Sequence, residues 1–577
     1  MVSPPGKKAP QTAEIMPDMV KWGDALARTV SAAWHLPHTA SIEDGWAGRG
    51  TSPSWATDFA RASGLPEWQL THPISWSGSR RTGWHARHPS RSKAGPDSST
   101  VQPERQMKAR MTQSTGAIGL SRIQDVQDED ELLTHDPHYR EAIEYLNSLQ
   151  FHGFRLGLER MERILAALGA PERSFQCVHI AGTNGKGSVS ATLSSILTAA
   201  GLRVGLYTSP HLVSVRERFR VCEEEITPEE FTKLAGEIKG LVEAGYELSY
   251  FEYTTVLAFL WFRMRGVAIA ILETGLGGRL DATNVVTPLV SVITNVALDH
   301  ETYLGRTLEE IAREKAGIIK PRVPVVNGAV DGGPGKVVRE TCQRLAAPLR
   351  ELGKGFCCTC KDKGSVTYEG KGWRMDGIRP ILAGGHQVRN LALALAACEV
   401  LKERGIPIGE EAVRDGCASV RWPCRCEFLE GERPVLLDGA HNPDGAAALR
   451  AFLERIHTDR PLGALLFAAS DEGGGKDVGR MIKTLSPLFE QAVITEPPGP
   501  RAPVTLESWK QIPLSFPFAM ERDWRRALDR ALGACRAERV LCVSGSLYLA
   551  GRVRAELIRR GYRESREGDI VPDYGAH

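Results

Sequence analysis

A glycine-rich segment with one lysine is the part of this sequence best suited to chemistry. Residues 182–188 read Gly-Thr-Asn-Gly-Lys-Gly-Ser and separate a short apolar run, 177–181, from a stretch with helical spacing of apolar residues. Such a turn gathers the unpaired N–H groups of a helix N-terminus, the positive end of the helix dipole and the Lys186 ammonium. Glycines let the main chain approach phosphate oxygens closely. The segment therefore predicts a nucleotide triphosphate site.

The spelling departs from the common phosphate-loop pattern G-x-x-x-x-G-K-[ST]. That pattern needs Gly at position 180 and Ser or Thr at position 187, where this chain has Ile180 and Gly187. Taken alone, the segment is also compatible with a tight strand-to-helix turn that binds nothing. The rest of the chain must decide between the two interpretations.

Two further strand ends carry residues suited to metal and phosphate chemistry. Residues 267–273 are apolar up to Glu273, the layout of a magnesium-binding carboxylate at the carboxyl end of a sheet strand. The loop that follows fails the dinucleotide pattern because position 280 is leucine. The next strand leads to Asp299-His300, with Lys315 further along. We expect these groups to share one rim of the sheet with the glycine-rich loop.

Strands that alternate with helices predict an α/β fold with a mostly parallel sheet and helices on both faces. The predicted strands of this part include 177–181, 204–207, 268–272, 290–294 and 323–326. Pro423 breaks the pattern, so residues 421–427 are predicted to form a hinge. A second strand and helix series begins at 435–438 and 439–453, and it ends in a helix at 547–559. We therefore expect a second, smaller α/β domain.

The bulk composition excludes several classes of protein. Hydrophobic residues make up 42% and charged residues 25% of the 577 positions, and the net charge is only +2. These values favour a globular protein and give no electrostatic reason to bind nucleic acid or a membrane. The twelve scattered cysteines indicate a reducing, cytoplasmic setting. The C-x-x-C pair Cys357 and Cys360, in a predicted loop, falls short of the four ligands of a structural zinc site.

The beginning of the chain differs from the remainder. Residues 1–110 are rich in Trp, Ser, Pro and Gly and show no long periodic segment, so we predict a disordered extension or sequence upstream of the true start. Met107 and Met111 are the candidate initiators. An acidic linker at 111–135 then leads into the folded part.

Several ordered segments together resemble the folylpolyglutamate synthase/dihydrofolate synthase family, a branch of the Mur ligase superfamily. They are HIAGTNGKGS, YTSPHL with RERFRV, YFEYTT, LETGLGGRLDATN, ITNVALDH, REKAGIIK, GGHQVRN, LLDGAHNPDGA and SGSLYLAGRVR. The order Gly-Lys-Gly-Ser suits this family better than the threonine-rich loop of cell-wall ligases. The resemblance implies a P-loop ATPase-like domain at 136–420 and a Rossmann-like glutamate-ligase domain at 421–577.

The resemblance also implies roles for individual residues. ATP, a co-substrate, would contact Thr183, Asn184, Gly185, Lys186, Gly187, Ser188, Asn390, Arg425, Asp438 and His441. Two Mg²⁺ ions would be held by Ser209, Glu273 and His300. The pterin pocket would include Phe251, Asp281 and Ala282. The catalytic set would be Lys186, His300 and Lys315, the last carried as a carbamate, and a monovalent cation is a further candidate ligand.

The implied reaction is ATP-driven amide formation between L-glutamate and dihydropteroate, a reduced folate, or both. We favour both activities, because GLGGRLDATN is closer to bacterial-type, often bifunctional members. The alternatives are an enzyme with one of the two activities, a cell-wall Mur ligase, and a non-catalytic nucleotide-binding scaffold. We expect a monomer that binds neither nucleic acid nor a membrane.

Overall fold

The structure is a computed structural model that describes residues 136–149, 157–361, 364–470 and 477–565. The predicted extension (1–110), the candidate initiators, the acidic linker (111–135) and a glycine-rich segment at 471–475 lie outside the described residues. Within the described ranges, no helix combines the length and the apolar character needed to cross a membrane.

An eight-stranded sheet is the frame of the part that we call the first lobe, residues 136–419. Its strands lie in the order β4-β3-β2-β5-β1-β6-β7-β8, and only β3 and β4 run antiparallel to their neighbours. The prediction of a mostly parallel sheet is therefore confirmed. The strands are β1 (Gln176–Ala181), β2 (Val204–Tyr207), β3 (Phe219–Val221), β4 (Glu224–Glu225), β5 (Ile269–Glu273), β6 (Val290–Ile293), β7 (Val325–Asn327) and β8 (Leu349–Glu351).

Helices bury both faces of this sheet. Val178 and Ile180 of β1 belong to one core cluster, and Cys177 belongs to another, as expected for alternate residues of a strand. Both faces are apolar because a parallel sheet is covered on each side. The helices are α1 (Pro137–Ser148), α2 (Glu159–Ala167), α3 (Lys186–Ala199), α4 (Pro228–Glu243), α5 (Tyr250–Met264), α6 (Glu301–Leu304), α7 (Leu308–Ala316), α8 (Gly332–Arg344), α9 (Gly385–Glu403) and α10 (Glu410–Ser419).

A small antiparallel sheet corrects the prediction of a loop around Cys357 and Cys360. It contains β9 (Cys357–Cys360), β10 (Val366–Glu369) and β11 (Arg374–Ile378). The cysteines lie three positions apart on β9, so their side chains point to opposite faces of the strand. The pair therefore cannot chelate one metal ion.

A seven-stranded sheet organises the second lobe, residues 427–565. The strand order is β16-β15-β14-β17-β13-β12-β18, with β12 and β18 antiparallel at one edge. The strands are β12 (Glu427–Glu430), β13 (Val435–Leu437), β14 (Leu462–Phe467), β15 (Gln491–Ile494), β16 (Phe518–Met520), β17 (Val540–Ser544) and β18 (Arg563–Glu564). The helices are α11 (Pro443–Ile456), α12 (Val478–Leu485), α13 (Leu506–Lys510), α14 (Trp524–Ala534) and α15 (Leu547–Arg559).

The segment after β13 differs from the prediction of a helix at 439–453. Helix α11 begins only at Pro443, because the Asn442 side chain caps it by accepting a hydrogen bond from the Gly445 N–H at 2.8 Å. Proline at the first helical position has no N–H to leave unpaired. Residues 438–442 thus form a turn, and that turn faces the first lobe.

Candidate active site

One cavity lies between the carboxyl ends of the first sheet and the turn after β13. It is lined by all of the residues predicted for nucleotide and metal. These are Thr183, Asn184, Gly185, Lys186, Gly187, Ser188, Ser209, Glu273, His300, Lys315, Asn390, Arg425, Asp438 and His441. The fold therefore brings together side chains from both lobes that are far apart in the sequence.

The strand register places three of the predicted segments side by side. Strand β1, which leads into the glycine-rich loop, lies between β5 and β6. Ile180 pairs with Glu273, and Ala181 pairs with Ile293. The loop, Glu273 and the segment that leads to His300 therefore leave one rim, as predicted.

The glycine-rich loop opens directly into helix α3. Gly185 stands before Lys186 with a left-handed φ of 82°, and no side chain caps the helix. A Cβ at Gly185 would lie 2.4 Å from Oδ1 of Asn390, so the position requires glycine. The free N–H groups of the first helical turn face the cavity and form a site for an anion.

Lys186 is held over the loop by main-chain oxygens. Its Nζ donates to the carbonyl oxygens of Gly182 at 3.1 Å and Thr183 at 3.2 Å. The same Nζ lies 3.9 Å from Oε1 of Glu273. The ammonium therefore joins the phosphate loop to the carboxylate at the end of β5.

Glu273 is a buried carboxylate at the end of β5. It is 4% exposed, and its Oε2 accepts a hydrogen bond from the Ser209 N–H at 3.3 Å. Burial raises the pKa of Glu273 to about 7, although Lys186 opposes the shift. A cation beside the carboxylate would restore its charged form.

His300 follows the carboxyl end of β6, the strand next to β1. It has a left-handed φ of 51° and stands just before helix α6. Its N–H donates to Oδ1 of Asp299 at 3.0 Å. The ring nitrogen Nε2 lies 3.9 Å from the same carboxylate.

The donor set suits a divalent cation such as Mg²⁺. The described residues include no group of three or more His, Cys, Asp or Glu side chains arranged to hold a metal ion. Mg²⁺ is typically bound by one or two carboxylates together with substrate phosphates and water. Glu273, Ser209 and His300 line the same cavity and are a partial set of that kind.

Lys315 is an unusual lysine in the same cavity. It is 3% exposed, although helix α7 has charged residues around it. Burial, assisted by repulsion from Lys186, lowers the pKa of Lys315 to about 7. At a pH above 7 the amine is largely neutral and can act as a nucleophile.

In the second lobe, Asp438 and His441 are held by the turn itself. Asp438 accepts hydrogen bonds from the N–H groups of Cys426 and Ala440, both at 2.9 Å. Nδ1 of His441 lies 2.9 Å from the Gly439 carbonyl oxygen. Both side chains line the cavity, and these hydrogen bonds also stabilise the turn.

Sequence reasoning missed a polar junction that joins the two lobes. Asn442 and Asn184 exchange amide hydrogen bonds of 3.0 and 3.2 Å, and Asn442 also donates to Asp299 at 2.9 Å. Asp444 accepts from Asn184 at 2.8 Å and from Asn295 at 3.1 Å. The segments HIAGTNGKGS, ITNVALDH and LLDGAHNPDGA contain these residues, but only the fold shows that they meet.

The three residues predicted for the pterin pocket are not among the residues that line the cavity, although Phe251 and Asp281 contact the lining residue Gly275. Phe251 is half-buried at the start of α5, where its ring packs against Gly275, and Ala282 is buried. The two oxygens of Asp281 accept hydrogen bonds from the N–H groups of Gly275, Leu276 and Thr283 and from the Thr283 hydroxyl. Asp281 therefore shapes the loop after β5, and its contact with a pterin stays a prediction.

Two family models match the chain. Residues 180–327 match the Mur ligase middle domain, and residues 424–547 match the Mur ligase, glutamate ligase domain. Together they cover both the glycine-rich loop and the turn after β13.

Curated and solved proteins agree with these matches. The chain is 34% identical to the dihydrofolate synthase/folylpolyglutamate synthase of Bacillus subtilis, over 73% of this chain and 99% of that protein. It is 32% identical to the folylpolyglutamate synthase of Lacticaseibacillus casei, over the same shares of the two chains. The structure of Escherichia coli FolC with DHPP and ADP matches with a TM-score of 0.67 and 31% identity, over 73% of this chain and 98% of that chain. A bifunctional folylpolyglutamate synthase/dihydrofolate synthase of Yersinia pestis, complexed with AMPPNP and Mn ion, matches with a TM-score of 0.65 and 30% identity, over 73% and 98%.

Proposed function

Because the chain belongs to the folylpolyglutamate synthase/dihydrofolate synthase family, we propose that it is an ATP-dependent ligase that adds L-glutamate to a pterin-linked carboxylate. The observation that carries this proposal is the convergence of the predicted nucleotide and metal residues on one cavity. The acceptor is dihydropteroate, the γ-carboxylate of a reduced folate, or both.

The reaction has two chemical steps. A carboxylate is a poor electrophile, so its oxygen first attacks the γ-phosphorus of ATP, and the bond from that phosphorus to the ADP oxygen breaks. The product is an acyl phosphate. The neutral amine of glutamate then attacks the acyl carbon, phosphate leaves with the electrons of the C–O bond, and the amine gives up a proton. The product is an amide.

This chain's residues contribute positioning and electrostatics. The N–H groups at the start of α3 and the Lys186 ammonium face the phosphates, where negative charge builds as the phosphoryl group is transferred. Glu273, Ser209 and His300 would hold Mg²⁺, which supplies charge neutralisation when bound. The Asn184–Asn442 pair links the lobes above the site, and such closure protects an acyl phosphate from water.

Lys315 fits the role of a carbamate that accompanies the metal ions. The neutral amine adds to CO₂, a nitrogen–carbon bond forms, and the proton lost from nitrogen leaves an anionic carbamate. Burial favours this reaction, because the pKa of Lys315 falls to about 7 and the neutral amine is abundant at pH 8. The product would place an anion in the cavity that Glu273 and His300 also line.

Replacement of Lys315 tests the carbamate directly. We expect Lys315→Ala to lower kcat by about 100-fold, the scale of losses seen when partners of a metal site are removed. Because the missing group is a carboxylate, acetate or formate should restore part of the activity to this variant. Lys315→Arg keeps a cation but cannot be carbamylated, and it should be equally slow without rescue. Full activity of the Arg variant would contradict the carbamate.

The acceptor can be assigned by measuring ADP release. With ATP, Mg²⁺ and L-glutamate present, we expect dihydropteroate and tetrahydrofolate each to stimulate ADP release from the same preparation. Two of the relatives carry both activities in their names, and the Lacticaseibacillus casei relative carries one, which is why both acceptors are offered. Glutamate omission is the control. If neither acceptor supports turnover, the proposed function is wrong.

The remaining predictions concern the domain boundaries, a further ligand, the oligomeric state and the cellular location. The two separate sheets support the assignment of domains at 136–420 and 421–577. A monovalent cation as a further ligand, a monomeric state and a cytoplasmic location stay predictions. Gel filtration with light scattering tests the second of these.

A further inference from the structure

Trp422 packs directly on the glycine-rich loop, although it precedes the second lobe. A Cβ on Gly187 would lie 2.6 Å from one carbon of the indole and 2.9 Å from two further ring atoms, Cε2 and Nε1. Atoms at that distance overlap, so no side chain fits at position 187 while the indole is in place. The glycine that breaks the common Gly-Lys-Ser/Thr pattern therefore leaves space for Trp422.

A second contact holds the indole from the edge of the first sheet. The Arg220 guanidinium lies 5.8 Å from the centre of the Trp422 ring, within the range of a cation–π interaction. Arg220 belongs to β3, which pairs with β2, the strand that leads to Ser209. Trp422 also packs against the main core cluster of the first lobe. The indole is thus anchored in the first lobe on more than one side.

The chain leaves this anchor through a short, strained turn into the cavity. Pro423 follows Trp422, and Cys424 and Cys426 both have left-handed φ values, 59° and 50°. Arg425 between them lines the cavity. A residue with a Cβ adopts this conformation at a cost, and the surrounding structure must hold it there. Only a few backbone bonds separate the indole from the Arg425 side chain.

We propose that Trp422 is a positioning residue that fixes the hinge to the phosphate loop, so that Arg425 and the loop are both correctly placed to contact the nucleotide. Gly187 is the residue of the phosphate loop on which the indole packs. The inference rests on the proposed use of ATP and deepens it, because it assigns a cause to the Gly-Lys-Gly-Ser spelling. A glycine needed only for close approach of phosphate would have no relation to position 422.

A double-mutant cycle on ADP binding tests the contact. The dissociation constant of ADP with Mg²⁺ would be measured by titration calorimetry for the unsubstituted full chain, Gly187→Ala, Trp422→Ala and the double variant. We expect each single change to weaken ADP binding by about tenfold, the middle of the coupling range for residues in contact. The double variant should bind no more weakly than Trp422→Ala alone, because the alanine methyl then occupies the space of the indole.

Matched variants separate positioning from simple packing. Trp373 is a second half-buried indole on the same core cluster, covered by Lys402 at 4.7 Å. Like Trp422 it is outside the cavity lining, but it is not among the atoms nearest to Gly187. Trp373→Ala should lower thermal stability but leave ADP affinity unchanged. Trp422→Phe keeps an aromatic ring and should recover most of the affinity. In turnover, Trp422→Ala should raise KM for ATP and leave KM for the acceptor unchanged.

The outcomes distinguish failure of the positioning role of Trp422 from failure of the proposed function. If the losses of the single variants add in the double variant, or if Trp422→Ala binds ADP normally, Trp422 does not position the loop. If the unsubstituted protein binds no ADP, the proposed function fails and the inference fails with it.

Discussion

Replacing Lys186 by glutamine should lower kcat/KM for ATP by roughly 10³-fold, because one donor aimed at developing charge is typically worth that much. The Lys186 Nζ is held by the Gly182 and Thr183 carbonyl oxygens and reaches toward Glu273, so its position is set before ATP binds. Glutamine can donate hydrogen bonds but carries no charge. The measurement is initial-rate ADP release with ATP varied at saturating acceptor and glutamate.

A surface lysine provides the control for this substitution. Lys239 on α4 pairs with Glu141 at 3.1 Å and lies away from the cavity. Lys239→Gln removes the same charge from the protein, and exposed pairs of this kind contribute little to stability. It should therefore keep normal kinetics. If the Lys186→Gln enzyme kept a rate within a few fold of that of the unsubstituted enzyme, the phosphates would have to bind elsewhere.

Much of the fold could be predicted, because local patterns and final structure agree where apolar runs are long and clearly bounded. Strands 204–207 and 540–544 and helices 308–316 and 547–559 have the predicted limits. At the first of these helices, α7, Thr307 and Glu310 form a capping box that marks its start in the sequence. The short strands β3, β4 and β18 are not predicted, because two or three residues, with polar side chains among them, give no clear period.

The site was predictable for a different reason, and only in part. Glu273 and the glycine-rich loop each follow a recognisable strand, so their meeting depends only on the order of neighbouring strands. The contacts of Asn442 and Asp444 with the phosphate loop depend on how the second lobe docks, and that of Trp422 depends on how the hinge packs on the first lobe. No local pattern contains either. The shifted pKa values of Glu273 and Lys315 likewise depend on burial by distant segments. Motifs therefore indicated which residues act, while their coupling came from the tertiary structure.

Glu273→Gln should lower the catalytic rate and, in the absence of metal, raise the stability of the fold. We expect kcat to fall by about 10²–10³-fold, since the carboxylate that neutralises Mg²⁺ is lost and metal assistance is worth several kcal/mol. Without metal, however, the fold should gain stability at pH 8. The folded-state pKa of Glu273, about 7, lies above its ordinary value of 4.5, so ionisation destabilises the native state progressively as pH rises between these values. Glutamine has no charge to desolvate and removes this dependence.

Thermal unfolding with and without Mg²⁺ and ADP measures both effects. The unsubstituted protein should gain stability from Mg²⁺ and ADP together, whereas Glu273→Gln should gain much less, because a ligand stabilises only the state that binds it. Glu399 is the matched control: it is also buried, and it accepts hydrogen bonds from Tyr368 and Trp373 at 3.0 Å away from the cavity. Glu399→Gln should lower the melting temperature and keep turnover. If Glu273→Gln behaved like Glu399→Gln, the carboxylate would be structural and the metal would lie elsewhere.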